Sequence, residues 1–222
     1  MSTIFNQHEE ISQHFIVDDE LWKTLQKADP DTLSRNCDVT FDPKQGRYLI
    51  PVLDEIYGVC PKDKKITKPF ESDASQEKLR VERTLFLLYY LLGTKNIPLE
   101  GKRVSEKELK GGEMFFRGPH AFSTQRITKK FAKNPEGFLA AGLKLKGEKV
   151  NLGDAAIELK AAPKVPITYV LWVEDEEFPA SVKILFDPTI QEFLPLDIIY
   201  GLTIFTSHRL VGKGKVCESD SK

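Results

Sequence analysis

Residues Pro163–Asp187 read PKVPITYVLWVEDEEFPASVKILFD. A strand-like apolar run ends at Leu171-Trp172, four consecutive acids follow from Glu174 to Glu177, and a second strand-like run ends at Phe186-Asp187. β-Branched and aromatic residues bounded by proline and charge predict two strands joined by a polar loop. Four carboxylates between two buried-looking runs allow two readings. They form either a solvated hairpin loop or the rim of a site that uses negative charge.

Downstream, Asp187-Pro188 reads as the cap of a short helix through Phe193, and Pro195 opens a longer helix from Leu196 to about Leu210. Upstream, Ala156–Leu159 is expected to pair with Ile167–Val173 across the Pro163–Pro166 turn, while Gly147 and Gly153 bracket a bulge or turn. A helix begins at Ser123 or Thr124 and runs through Ile127 and Phe131; Asn134-Pro135 interrupts it and starts another through Phe138 and Leu139. Gly101–Pro119 reads as a glycine-punctuated connector. From Glu77 to Leu92 the apolar residues follow helical spacing and close nearly all round, which predicts a central buried helix. Glu71–Glu77 reads as polar loop.

Nearer the start, Val39 and Phe41 face Tyr48, Ile50 and Val52 across the turn Asp42–Gly46, with a third strand near Ile56–Val59 and closure of this sheet at Cys60–Asp63. Leu21, Trp22 and Leu25 predict a helix capped by Asp18-Asp19, and Pro30 starts another through Arg35. Helices and strands are segregated rather than alternating. The expected fold is α+β, mainly antiparallel sheet packed against a central helix and C-terminal helices. The expected organisation is an N-terminal extension over 1–17, one α+β domain over 18–211 and a disordered polar tail over 212–222.

Composition bounds the function. The 222 residues are 41% hydrophobic and 29% charged with a formal net charge of −1, so no global field favours nucleic acid or an anionic membrane. The three cysteines, Cys37, Cys60 and Cys217, form no CxxC pair, which removes local support for a thiolate metal site and fits a reducing compartment. MSTIFNQHEE lacks a basic region followed by an apolar core, and no apolar run is long enough to span a bilayer. A cytoplasmic protein is expected, with no nucleic-acid or membrane partner.

Two blocks carry candidate chemistry. In Gly111-Gly112-Glu113-Met114-Phe115-Phe116-Arg117-Gly118-Pro119-His120, the paired glycines can expose backbone N–H groups to an anion, Arg117 can grip a carboxylate or phosphate, and His120 brings an imidazole, the side-chain type suited to proton exchange near neutrality. The alternative is a tight turn with Phe115 and Phe116 pinned into the core. The spacing is not that of a P-loop. In the acidic run, Asp175 and Glu177 share a side of an extended chain and are the candidate ligands for a hard cation, beside Trp172, which reads either as core or as a stacking platform. The alternative is a solvated or salt-bridged loop. No HxxxH, HExxH or GxSxG pattern nominates a zinc site or a nucleophile.

The Gly111–His120 block resembles one typical of the family called domain of unknown function 3786, found in bacteria and archaea, many of them anaerobic. Pro163–Pro166, Leu171-Trp172, Asp175–Pro179 and Leu185–Asp187, closed by Leu194–Asp197, look like its second hallmark. The resemblance covers about Leu21 to Leu210 and implies no defined activity. Some relatives look fused to an iron–sulfur domain of the corrinoid-protein kind; this chain lacks the cysteine cluster, so any cluster would belong to a partner.

The leading expectation is therefore a non-catalytic module that binds a small anionic or tetrapyrrole-like ligand, or a redox- or corrinoid-associated protein, in redox or cofactor metabolism. Gly111, Gly112, Arg117, His120 and Trp172 are its candidate ligand-binding residues, and no cofactor is assigned. A carboxylate-dependent, metal-assisted enzyme using Asp175 and Glu177, and a scaffold protein, are the alternatives.

Overall fold

A computed structural model describes residues 19–68, 81–122 and 124–212. The expected loop over Glu71–Glu77, the start of the Glu77 helix, the N-terminal extension and the tail beyond Gly212 lie outside these. Among the described residues are seven α-helices and two four-stranded antiparallel sheets, an α+β arrangement.

The chain opens with α1 (Asp19–Lys27), which buries Trp22 and Leu25, and α2 (Pro30–Cys37). Asp29 caps α2: its carboxylate accepts from the Thr32 N–H at 2.9 Å and the Thr32 hydroxyl at 2.6 Å, with Pro30 in the first turn. The first sheet follows as β1 (Thr40–Asp42), β2 (Arg47–Val52), β3 (Glu55–Cys60) and β4 (Lys65–Thr67), paired in that order. Tyr48, Ile50, Val52, Tyr57 and Val59 form its buried side.

The sequence reading closes this sheet at Cys60–Asp63, whereas those residues turn the chain into β4. The fourth strand has only Ile66 between Lys65 and Thr67, too little alternation to be seen.

Helix α3 (Val81–Gly93) is the predicted central helix. Leu85, Phe86, Leu87, Leu88, Tyr90 and Leu91 are all buried, so it has almost no solvent face. It packs chiefly on α7, with α1 and α2 alongside. A Cβ on Gly93 would come 2.3 Å from the Phe193 carbonyl oxygen, which is why the helix ends on glycine there.

The connector from Thr94 onward contains two short 3₁₀ turns and the four-residue α4 (Gly112–Phe115). Helices α5 (Gln125–Phe131) and α6 (Pro135–Lys144) follow, separated by Asn134, whose side chain accepts from the Gly137 N–H at 2.8 Å.

The second sheet is β5 (Glu148–Val150), β6 (Ala155–Ala162), β7 (Val165–Trp172) and β8 (Ser181–Phe186), again in chain order. Between Gly147 and Gly153 lies the edge strand β5, not simply a turn. Its three residues Glu-Lys-Val are mostly exposed and carry no alternating signal. Ile157, Leu159, Ile167, Tyr169, Leu171, Ile184 and Phe186 form the core face, and Gly142 of α6 sits against Ile157.

Helix α7 (Leu196–Val211) closes that face. The buried Tyr169 hydroxyl meets the Thr206 hydroxyl at 2.6 Å and that of Ser207 at 3.1 Å. The sheets are joined where β6 bulges between Lys160 and Ala162: the Leu53 N–H, from the β2–β3 turn, donates to the Lys160 carbonyl at 3.0 Å. No described helix is long and apolar enough to cross a membrane.

Candidate functional site

The Gly111–His120 block forms a ledge on the surface. Gly111 takes φ +77, a left-handed conformation that glycine adopts without cost, and so starts α4. Gly112 is buried: a Cβ there would lie 2.0 Å from the Glu106 carbonyl oxygen, a backbone atom. Close packing thus explains this glycine.

Phe116 is buried and rests on Phe122, which reaches Phe186 of β8. Phe115 is half-buried and carries the His120 ring stacked on it, centroids 4.7 Å apart and planes 17° from parallel. The His120 ring also stands nearly perpendicular to that of Tyr200, centroids 5.3 Å apart, and the Tyr200 hydroxyl donates to the Pro119 carbonyl at 2.9 Å. Arg117 is exposed and bonded to the exposed Glu113 at 2.6 Å. Between them Met114 stands 83% exposed.

The segment after β8 anchors the ledge and the connector that leads to it. Gln191 exchanges two hydrogen bonds with the Lys110 backbone, at 2.6 and 3.0 Å. Asp187 does more than cap its own turn at Thr189: it also accepts from the Glu100 N–H at 3.2 Å and the Gly101 N–H at 2.7 Å. Burial raises the Asp187 carboxyl, but these donors outweigh it and hold the group below its ordinary value.

Trp172, Asp175 and Glu177 lie elsewhere. Trp172 pairs with Ser181 at the loop end of the β7–β8 hairpin, while Phe186 pairs with Ile167 at the other end. Five strand positions, about 16 Å, separate the two ends. The structure therefore brings Gly111, Gly112, Arg117 and His120 together, brings Trp172, Asp175 and Glu177 together, and leaves the two groups apart.

In the hairpin loop Glu174 pairs with Lys133 at 2.9 Å. One Asp175 carboxylate oxygen accepts from the Glu177 N–H at 2.9 Å and the Phe178 N–H at 2.7 Å, which lowers its titration. Glu177 is exposed. Among the described residues no three His, Cys, Asp or Glu side chains gather as a metal set. Trp172 is 37% exposed, not core, because strand alternation turns it away from Leu171; the Lys183 ammonium lies 5.9 Å from its ring centre.

Two further features had no sequence signal, since each is assembled from distant segments. Arg209 of α7 bridges Asp54, in the β2–β3 turn, and Glu55 of β3, and Glu55 also accepts from the Tyr57 hydroxyl at 2.6 Å. Separately, a cleft of about 430 Å³ opens between α1, the start of α2 and the turns of the first sheet. Leu25, Ala28, Pro30 and Phe41 give it apolar walls, Tyr48 lines it, and Lys62 stands at its rim. Gln26 fixes one wall by donating to the Pro61 carbonyl at 2.8 Å.

No curated protein and no solved structure gives a significant match to this chain. The family model described as Domain of unknown function (DUF3786) matches residues 29–209, which takes in both sheets, the ledge and the hairpin loop. Most of the chain is covered, and both blocks that carried the resemblance fall inside the match: the chain belongs to the DUF3786 family.

Proposed function

We propose that this chain is a non-catalytic binding module of the cytoplasm, which recognises an acidic segment of a partner protein on the Met114–His120 ledge. The observation that carries the reading is a large apolar side chain, Met114, held 83% exposed beside Arg117 and His120 on a platform that Gly112, Phe116 and the Tyr200–Pro119 bond immobilise. Exposed methionine suits adaptable apolar recognition, and a guanidinium suits a carboxylate. The Arg117–Glu113 pair is solvent-exposed, so exchanging Glu113 for a partner's carboxylate costs little.

A role in redox or cofactor metabolism, and an anaerobic setting, belong to the same proposal and rest on the family resemblance alone. The carboxylate-enzyme reading has weaker support, because Asp175 is engaged in its own turn.

The test places a photo-crosslinking residue at position 114 in the full chain, with and without Arg117→Glu. The expected product is a cross-link to an acidic, apolar-flanked segment, lost in Arg117→Glu while circular dichroism stays unchanged. Cross-links that survive the charge reversal undiminished, or none at all, refute the reading. An absorbing tetrapyrrole or flavin retained by protein purified without oxygen, and released by Arg117→Glu, would replace the protein partner with a small ligand.

A further inference from the structure

Three buried side-chain atoms among the described residues have no hydrogen-bond partner: the Ser34 hydroxyl oxygen and the Nε atoms of Arg47 and Arg83. Ser34 is uncharged, and Arg47 has the Asp42 carboxylate 4.0 Å from its Nε. Arg83 of α3 is different. It is half-buried, and among the described residues no carboxylate touches it. Its Nη1 donates to the Tyr57 hydroxyl oxygen at 3.4 Å, and its guanidinium lies over the Phe205 ring of α7, 5.5 Å from the ring centre.

The carboxylate beyond Tyr57 is committed elsewhere. Burial pushes the Tyr57 hydroxyl up to about 12, so it keeps its proton at neutral pH and donates it to Glu55 at 2.6 Å. What Tyr57 offers Arg83 is therefore a neutral oxygen. One Glu55 oxygen takes Tyr57 and Arg209, and the other faces Lys68 at 3.3 Å. Burial raises the Glu55 carboxyl, but Tyr57 and Arg209 outweigh it and hold the group below its ordinary value. Asp54 is taken by Arg209 as well.

A charge withdrawn from water ordinarily has a counter-charge in contact. The Tyr57 oxygen and the Phe205 face fix the Arg83 guanidinium at two points and leave one edge unused. That edge carries the Nε proton and one Nη2 proton, which point the same way and match the two oxygens of a carboxylate. Nη2 makes no hydrogen bond and, unlike Nε, is not covered. An anion arriving from solvent therefore meets Nη2 first and closes on Nε with a side-chain adjustment of the kind common on binding.

We propose that Arg83 anchors a binding site for a small carboxylate, held by two parallel hydrogen bonds on its Nε–Nη2 edge where β3, α3 and α7 meet. Glu55, one hydroxyl away, disfavours a second negative charge, so the site takes a monoanion in preference to a phosphate dianion. The site shares no residue with the ledge, and neither reading rests on the other.

The full chain is titrated with benzoate, and separately with inorganic phosphate, at an ionic strength fixed with sodium chloride. Proton–nitrogen correlations of the arginine Nε–H groups report on the edge directly, and the Arg83 signal is the one missing in Arg83→Lys. Benzoate is expected to move that signal saturably in the millimolar range and to leave those of Arg47 and Arg103 in place. Arg83→Lys keeps the charge without the fork and should weaken benzoate about five- to tenfold, measured on the backbone amides around Tyr57. An Arg83 signal that does not move, arginine signals that all move together, a lysine variant that binds benzoate as well as wild type, or phosphate binding more tightly than benzoate would each overturn the assignment.

Discussion

Replacing Asp187 by asparagine changes two atoms' chemistry and no volume, yet it is expected to be among the costliest polar substitutions in the chain. Asp187 is 4% exposed and joins three segments: β8, the 3₁₀ turn after it and the connector at Glu100-Gly101. One carboxylate oxygen accepts from Thr189 and Glu100, the other from Gly101 at 2.7 Å. An amide placed with its oxygen toward Thr189 and Glu100 turns its NH₂ against the Gly101 N–H. One charge-assisted bond is then lost and two donors face each other. With such bonds worth about 1.5–3 kcal/mol, the expected loss is about 2 kcal/mol for Asp187→Asn and about 3 kcal/mol for Asp187→Ala, which abandons all three donors. For a chain of this size that lowers Tm by about 4–12 °C.

The pH dependence is a second check. The folded carboxyl titrates below the ordinary value of 3.8. Its stabilisation is therefore complete above that value and is lost as pH falls through the folded one. Urea unfolding followed by the fluorescence of the two tryptophans, at a series of pH values, measures both effects. The difference between wild type and Asp187→Asn should be constant near neutrality and shrink in acid. A difference under about 0.5 kcal/mol at pH 7, or one that grows as pH falls, would refute the role assigned to this carboxylate.

Gly112→Ala drives a methyl against the Glu106 carbonyl oxygen and should cost about 1–3 kcal/mol, seen as a lower Tm with amide shifts confined to the ledge. Tyr169→Phe removes the hydroxyl that ties β7 to α7 and should cost about 1–2 kcal/mol in denaturant titrations; a neutral result would show that Thr206 and Ser207 re-pair without it. Cys37 is fully buried with its thiol raised to about 12, so alkylation of the native protein followed by peptide mapping should leave it unmodified until denaturant is added.

Much of this architecture was legible before any tertiary contact was known. Apolar residues all round Leu85–Leu91 announced the central helix, and Asn134-Pro135 and Pro30 announced helix starts. Asp42–Gly46 announced a hairpin that the structure pairs as Phe41 with Tyr48. The edge strands β4 and β5 escaped because three-residue strands at an edge need no buried face. Trp172 was ambiguous because a position at the end of a strand takes its burial from what crosses it, not from its neighbours in sequence.

Sites were less legible than elements. Gly111, Gly112, Arg117 and His120 do share one ledge, since ten consecutive residues cannot separate far. Their distance from Trp172, Asp175 and Glu177 is a property of the hairpin: Phe186 and Trp172 occupy opposite ends of one ladder. The cleft combines α1, α2 and two turns of the first sheet, and Tyr48 looked like any inward strand residue.

By itself the amino-acid order determined the periodicities, caps and turns, and with them the α+β class and the family, because those depend on interactions within a few residues. Only the tertiary structure decided which polar groups were satisfied. Asp187 found its extra donors in Glu100 and Gly101, Arg209 found Asp54 and Glu55, and Tyr169 found Thr206 and Ser207. Hydrogen bonding of buried groups is settled by what long-range packing brings within 3 Å, and no local pattern encodes that.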